Sequence, residues 1–160
     1  MKFHGLAAIA LLMAVSACTG RDAAAAAGNE AARAALTTVT VTSATGRHVF
    51  RVELASTEPQ QQRGLMYRTD IPKDGGMLFA PYPTDGSGPR EASFWMKNTP
   101  SPLDIIFIRA DGTIARIAEN TVPFSEAQVP SGEPISAVLE LNGGRSAELG
   151  IAEGDKVSWK

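Results

Sequence analysis

Thr37-Thr38-Val39-Thr40-Val41-Thr42-Ser43-Ala44-Thr45-Gly46-Arg47-His48-Val49-Phe50-Arg51-Val52-Glu53-Leu54 decides the fold class. Val39 and Val41 alternate with threonines. After Ala44-Thr45-Gly46, Phe50, Val52 and Leu54 alternate with Arg51 and Glu53. Period-two alternation of β-branched residues, split by a glycine-containing turn, predicts a hairpin with one face on a core and one in water.

Towards the C-terminus the same grammar continues. Ser56-Thr57-Glu58-Pro59 has a hydroxyl cap, an acid and a first-turn proline, so a helix is expected from there to about Tyr67. Met77–Ala80 and Glu91–Met96 read as short strands around a Pro/Gly-rich loop, residues 81–90. Leu103–Arg109 is the most apolar run and predicts a central strand, with Asp111-Gly112 as its hairpin turn and Thr113–Glu119 as the return. Residues 122–134 read as a loop, Ile135–Leu141 as a strand, Arg145–Leu149 as a short helix ended by Gly150, and Lys156–Trp159 as a closing strand. Helices do not alternate with strands, which disfavours a parallel α/β fold. The expected class is mainly β: a compact antiparallel sandwich or partly closed, jelly-roll-like barrel with one or two short helices.

Towards the N-terminus the composition changes. Residues 19–36 are dominated by alanine and read as a tether. Ahead of them, Lys2, the apolar Leu6–Val15 and the small Ser16-Ala17 have the order of a secretory signal. That apolar stretch, about ten residues, is too short to cross roughly 30 Å of hydrocarbon. Val15-Ser16-Ala17-Cys18 resembles the lipobox of bacterial lipoproteins, in which the cysteine is acylated and the leader cut before it. The expected organisation is therefore a signal peptide over 1–17, a lipidated Cys18 with its tether over 18–36, and one β-rich domain over 37–160. The membrane is the expected partner, through that anchor. Thr19, rather than Asp, after the cysteine resembles the sorting pattern for outer-membrane delivery, facing the periplasm.

Cysteine count closes several chemistries. Cys18 is the only cysteine, so an acylated chain has no disulfide, no thiolate nucleophile and no cysteine-based metal site. His48 is the single histidine of the folded region, which argues against histidine-rich zinc sites and leaves a Ser-His-Asp mechanism only that one base. Net charge is −2 with no basic run, so nucleic acid is not an expected partner. No cofactor and no metal are expected.

Three segments carry the residues of interest: Arg63-Gly64-Leu65-Met66-Tyr67-Arg68, Phe94-Trp95-Met96-Lys97-Asn98-Thr99 followed by Pro102-Leu103-Asp104, and Leu139-Glu140-Leu141-Asn142-Gly143-Gly144. Together with Gly76-Met77-Leu78-Phe79 they resemble the family known as domain of unknown function 192, from about Val49 to Val157. The resemblance implies a compact jelly-roll or barrel fold and no established activity. Pro81–Arg90 is longer than is usual for that family, so ligand contacts on this loop would be particular to this chain.

In strand 91–96, Ala92, Phe94 and Met96 share one face and Ser93, Trp95 and Lys97 the other. If the first set packs inward, Trp95, Lys97 and Asn98 emerge together as a floor for a polar ligand, to which Arg63 and Arg68 add anion recognition. The competing expectation is that Trp95 and Met96 fill the core. Asp104, inside an apolar run, needs a partner: Arg63, Arg68, Lys97 or backbone amides near Asn98. It reads either as an internal acceptor or as a functional carboxylate. Glu140 is expected to point away from the buried leucines and towards solvent. The favoured function is a binding module for a polar small molecule or glycan, with Arg63, Arg68, Trp95, Lys97, Asn98, Asp104 and Glu140 as ligand-binding candidates and no catalytic residue assigned. The alternatives are a scaffold of the cell envelope and a hydrolase working through Asp104 and Glu140.

Overall fold

The computed structural model describes residues 35–160. The leader, Cys18 and nearly all of the tether lie outside the described residues. Nine strands and two short helices follow in order: β1 (Leu36–Ser43), β2 (Gly46–Ala55), α1 (Glu58–Arg63), β3 (Gly76–Phe79), β4 (Ser93–Phe94), β5 (Leu103–Ile108), β6 (Ile114–Ala118), β7 (Val129–Pro130), β8 (Ala137–Asn142), α2 (Arg145–Leu149) and β9 (Lys156–Trp159). Among the described residues no helix is long and apolar enough to cross a membrane.

Seven strands form one sheet in the order β6-β5-β8-β3-β2-β1-β9, and β4 and β7 form a separate ribbon. The β1–β2 hairpin has the register expected of its alternation, Val39 opposite Phe50 and Ser43 opposite Gly46. One pair is parallel, β2 with β3, joined across α1. The sheet curls until its outer strands meet. The Ile114 amide donates to the Asp155 carbonyl at 2.9 Å, and the Val157 amide to that of Gly112 at 2.8 Å. The fold is therefore mainly β and barrel-like.

Inside the curl, Val39, Val41, Phe50, Val52, Leu78, Ile106, Leu139, Leu141 and Val157 pack as one core. Each fully buried side chain of this size contributes about 1.5–3 kcal/mol relative to exposure. A second apolar layer lies on the outer face of β3, β5 and β8. There Met77, Phe79, Ile105, Phe107 and Val138 are covered by Leu65, Ala92, Met96 and Ile135. These strands are buried on both faces, and that positions the site.

Gly76 locks β3 against β8. Its φ is 154°, and a Cβ at this position would overlap the Glu140 carbonyl oxygen, so the backbones meet only because the residue is glycine.

β8 starts at Ala137 rather than Ile135, β7 lies inside the loop expected over 122–134, and two further boundaries differ from expectation. The first helix stops at Arg63 rather than Tyr67, because Gly64 leaves helical geometry at φ 48°, ψ −140° and the Tyr67 amide donates to the Asn98 carbonyl at 2.8 Å. The strand expected over 91–96 shrinks to Ser93–Phe94. Its partner strand contains Pro130, which has no amide to donate, while Ala92 and Met96 give theirs to Ser131 Oγ and the Ser125 carbonyl. The side-chain alternation survives: Met96 is buried and Trp95 is 40% exposed, so Trp95 does not fill the core.

Candidate functional site

The outer layer is not fully sealed. A cavity of about 720 Å³ opens between the end of α1, the loop over residues 82–90 and β4. Its size lies within the range of small-molecule pockets. Phe79 and Glu140, both almost completely buried, form its floor. Leu65, Met66, Tyr82 and Phe94 contribute apolar wall, and Arg63, Trp95, Asp85 and Arg90 stand at the rim. The Phe94 ring is the centre of an aromatic cluster, 5.2 Å from Phe79 at 85° and 5.9 Å from both Tyr82 and Phe107. Edge-to-face pairs of this kind hold a rigid surface.

Glu140 reverses its expectation. It is 4% exposed rather than solvent-facing. It does point away from Leu139 and Leu141, but that side of β8 is covered too. Its register neighbours are Met77 on β3 and Ile105 on β5, both apolar. Burial pushes the carboxyl up to about 8, and loss of water is the sole cause: no described residue offers it an ion pair or a hydrogen bond. At neutral pH this group carries its proton into the cavity as a donor.

Asp104 is a second correction. It is fully buried, yet none of Arg63, Arg68 or Lys97 reaches it. It accepts three backbone amides instead: Asn120 and Gly144 on Oδ1 at 2.8 Å each, and Ser146 on Oδ2 at 2.7 Å. Asp104 therefore caps α2 from another strand. It sits opposite Leu141 in the β5–β8 register, while Glu140 sits opposite Ile105. Adjacent positions in a strand face opposite ways, so Asp104 and Glu140 lie on opposite sides of the sheet and cannot work as a pair on one bond.

The remaining candidates divide. Arg63, Trp95 and Glu140 meet at the cavity. Lys97 is not in its lining but places its ammonium 4.9 Å from the Trp95 ring centroid, a cation–π contact that steadies the indole. Asn98 shapes the turn, with φ 54°. Arg68 lies outside the cavity, engaged with Glu53 at 2.5 and 3.3 Å and 3.6 Å from Asp70. Glu53 holds that guanidinium more firmly protonated. Arg68→Met is expected to cost about 1 kcal/mol in urea denaturation, and a double-mutant cycle with Glu53→Gln to return most of that as coupling. No coupling would mean the pair is idle. Among the described residues no group of three or more His, Cys, Asp or Glu is placed to hold a metal ion.

Phe79, Tyr82 and Thr99 also line the cavity and were not among the candidates. Tyr82 belongs to the long 81–90 loop, whose length was the available signal. Phe79 ends the Gly-Met-Leu-Phe run and passes for ordinary core.

The comparisons with known proteins agree with one another. The model of the domain of unknown function 192 family, described as an uncharacterized ACR, matches residues 39–159. A crystal structure of a protein of unknown function from Novosphingobium aromaticivorans DSM 12444 is similar at 50% identity and a TM-score of 0.72, over 78% of this chain and 85% of that one. A second, of a candidate transcription regulator from Sinorhizobium meliloti 1021, is similar at 44% identity and a TM-score of 0.73, over 79% of this chain and 95% of that one. A search of curated proteins returns no match. With the family model covering three quarters of its length and two solved structures sharing its fold at this identity, the chain belongs to the domain of unknown function 192 family.

Proposed function

We propose that this chain is a binding module of the cell envelope, held to the membrane through an acylated Cys18, that takes a small polar molecule or a glycan unit into the cavity above Glu140. One observation carries the binding half: a carboxyl group 4% exposed, with no partner among the described residues, on the floor of an open cavity. Leaving such a group without a protein partner is costly, and the domain keeps it where a molecule entering the cavity can satisfy it. Trp95 and the Phe94 cluster supply the flat apolar surface that a ring or sugar face needs.

Purified full-length chain should show a thermal shift with at least one member of a panel of sugars, amines and small acids. Trp95→Ala should weaken that binding by about tenfold without moving the unliganded midpoint. A silent panel, or a Trp95→Ala variant that binds normally, removes the reading. Tethering is checked separately: labelled palmitate should enter the wild type and not Cys18→Ser.

A scaffold role has its own support. Tyr67 and Phe124 are 66% and 62% exposed, both at positive φ, and their amides bond to Asn98 and Thr99. Two bulky residues held in a costly backbone conformation beside one turn form an apolar rim suited to a protein partner. The regulator description of the Sinorhizobium meliloti protein finds no counterpart in charge here, since the net charge is −2 and there is no basic run.

A further inference from the structure

Two charge-bearing groups at the cavity lack a partner among the described residues, and they are of opposite type. The other charged groups around it are engaged. Asp85 lies 3.9 Å from Arg90 and accepts the Ser87 amide; Arg90 also stacks at 5.9 Å over Tyr82; Glu58 accepts Gln62 Nε2 at 3.0 Å. Arg63, the last residue of α1, is exposed at the rim and enters none of the ion pairs. Glu140 is alone at the floor. Phe79, Phe94 and Leu65 line the same cavity.

We infer that the molecule this cavity takes is amphoteric, an amino-acid-like compound whose ammonium meets Glu140 and whose acidic group meets Arg63, with an aromatic or aliphatic body against the apolar wall. The inference rests on the proposal that the cavity binds a ligand, and names its class. An ammonium brought to the floor turns a costly lone acid into a close ion pair in a medium where such pairs are strong. A neutral hydroxyl would meet the carboxyl only as a hydrogen bond and leave Arg63 idle. A purely anionic molecule would suit Arg63 but meet protonated Glu140 only as a hydrogen-bond acceptor, with no ion pair at the floor. The aromatic walls accept a ring and also favour a cation near their faces. Meeting an ammonium ionises Glu140, which gives up its proton to solvent; the amine arrives already protonated, so one proton leaves per molecule bound. The other titratable groups lining the cavity are Glu58, Asp85, Tyr82, Arg63 and Arg90.

The test is isothermal titration of the full chain at pH 7, in phosphate and in Tris, with four probes: phenylalanine, phenethylamine, 3-phenylpropionate and glucose. Phenylalanine should bind about tenfold or more tightly than either half-molecule, with release of about one proton. Glu140→Gln should abolish the proton release and weaken phenylalanine and phenethylamine by about tenfold or more, leaving 3-phenylpropionate unchanged; Arg63→Met should do the converse. If glucose or 3-phenylpropionate binds as tightly as phenylalanine, the amphoteric assignment fails while the cavity remains a binding site. If all four are silent, the assignment fails and the binding proposal loses its support with it. Tight phenylalanine binding with no proton release, or unaffected by Glu140→Gln, also overturns it. Circular dichroism of both variants guards against misfolding.

Discussion

Asp104→Ala is expected to lower the unfolding free energy by about 4–5 kcal/mol, seen as a shift of the urea midpoint at unchanged slope. The carboxylate accepts three buried or half-buried amides, from Asn120, Gly144 and Ser146. Bonds to an ionised acceptor contribute about 1.5–3 kcal/mol each, and the amides stranded by its loss are not rehydrated for free. The helix it serves is only five residues long, and its N-cap, Gly144, has no side chain to cap with. Asp104 does that work from β5, and so joins α2, the 120 turn and the centre of the sheet. Asp104→Asn should lose roughly half as much, because one oxygen stays and an NH₂ faces an amide that needs an acceptor. A loss below about 1 kcal/mol for the alanine variant would contradict this account.

Glu140 predicts the opposite sign. Burial holds the Glu140 proton in the folded domain up to about pH 8, whereas an unfolded chain releases it near pH 4.5. Between those values the folded state binds more protons than the unfolded one, so raising the pH favours unfolding. Stability should fall by about 1.4 kcal/mol per pH unit across the window, about 5 kcal/mol in all. Below pH 4.5 the penalty vanishes. Glu140→Gln should be nearly flat over the same range and, at pH 8, several kcal/mol more stable than wild type, with ammonium-bearing ligands held more weakly. Thermal melts at pH 5, 6, 7 and 8 decide it: two parallel curves would show that Glu140 is not isolated from water. A residue whose removal strengthens the fold is one the fold does not need for itself.

How much of this was legible in the sequence follows from the range of each cause. The β1–β2 hairpin, the Asp111-Gly112 turn and the short Arg145–Leu149 helix depend on residues within a few positions of each other, and all three stand where the patterns put them. Trp95 emerging opposite Met96 also follows from local alternation. The misses were long-range. Alternation around Glu140 predicts which side of β8 it faces but assumes that side is wet. Its cover comes from Leu65, Met96 and Ile135, brought over the sheet by loops. Asp104 needed a partner, and three side chains and the backbone amides near Asn98 were the readable candidates; backbone amides of a distant helix start leave no residue-type signature, although Gly143-Gly144 marked the turn that presents them. The cavity as a whole is a product of topology, since Arg63, Trp95 and Glu140 come from three separate segments.

The meeting of β6 with β9 has a consequence for how the domain responds to proteolysis. The last strand is paired with β1 on one side and its approach is bonded to the β6 hairpin on the other. Clipping the chain before Lys156 would unzip both neighbours at once and leave two open β-edges, each a template for recruiting another chain. Damage at the C-terminus should therefore be read out as polymerisation rather than simple loss of function.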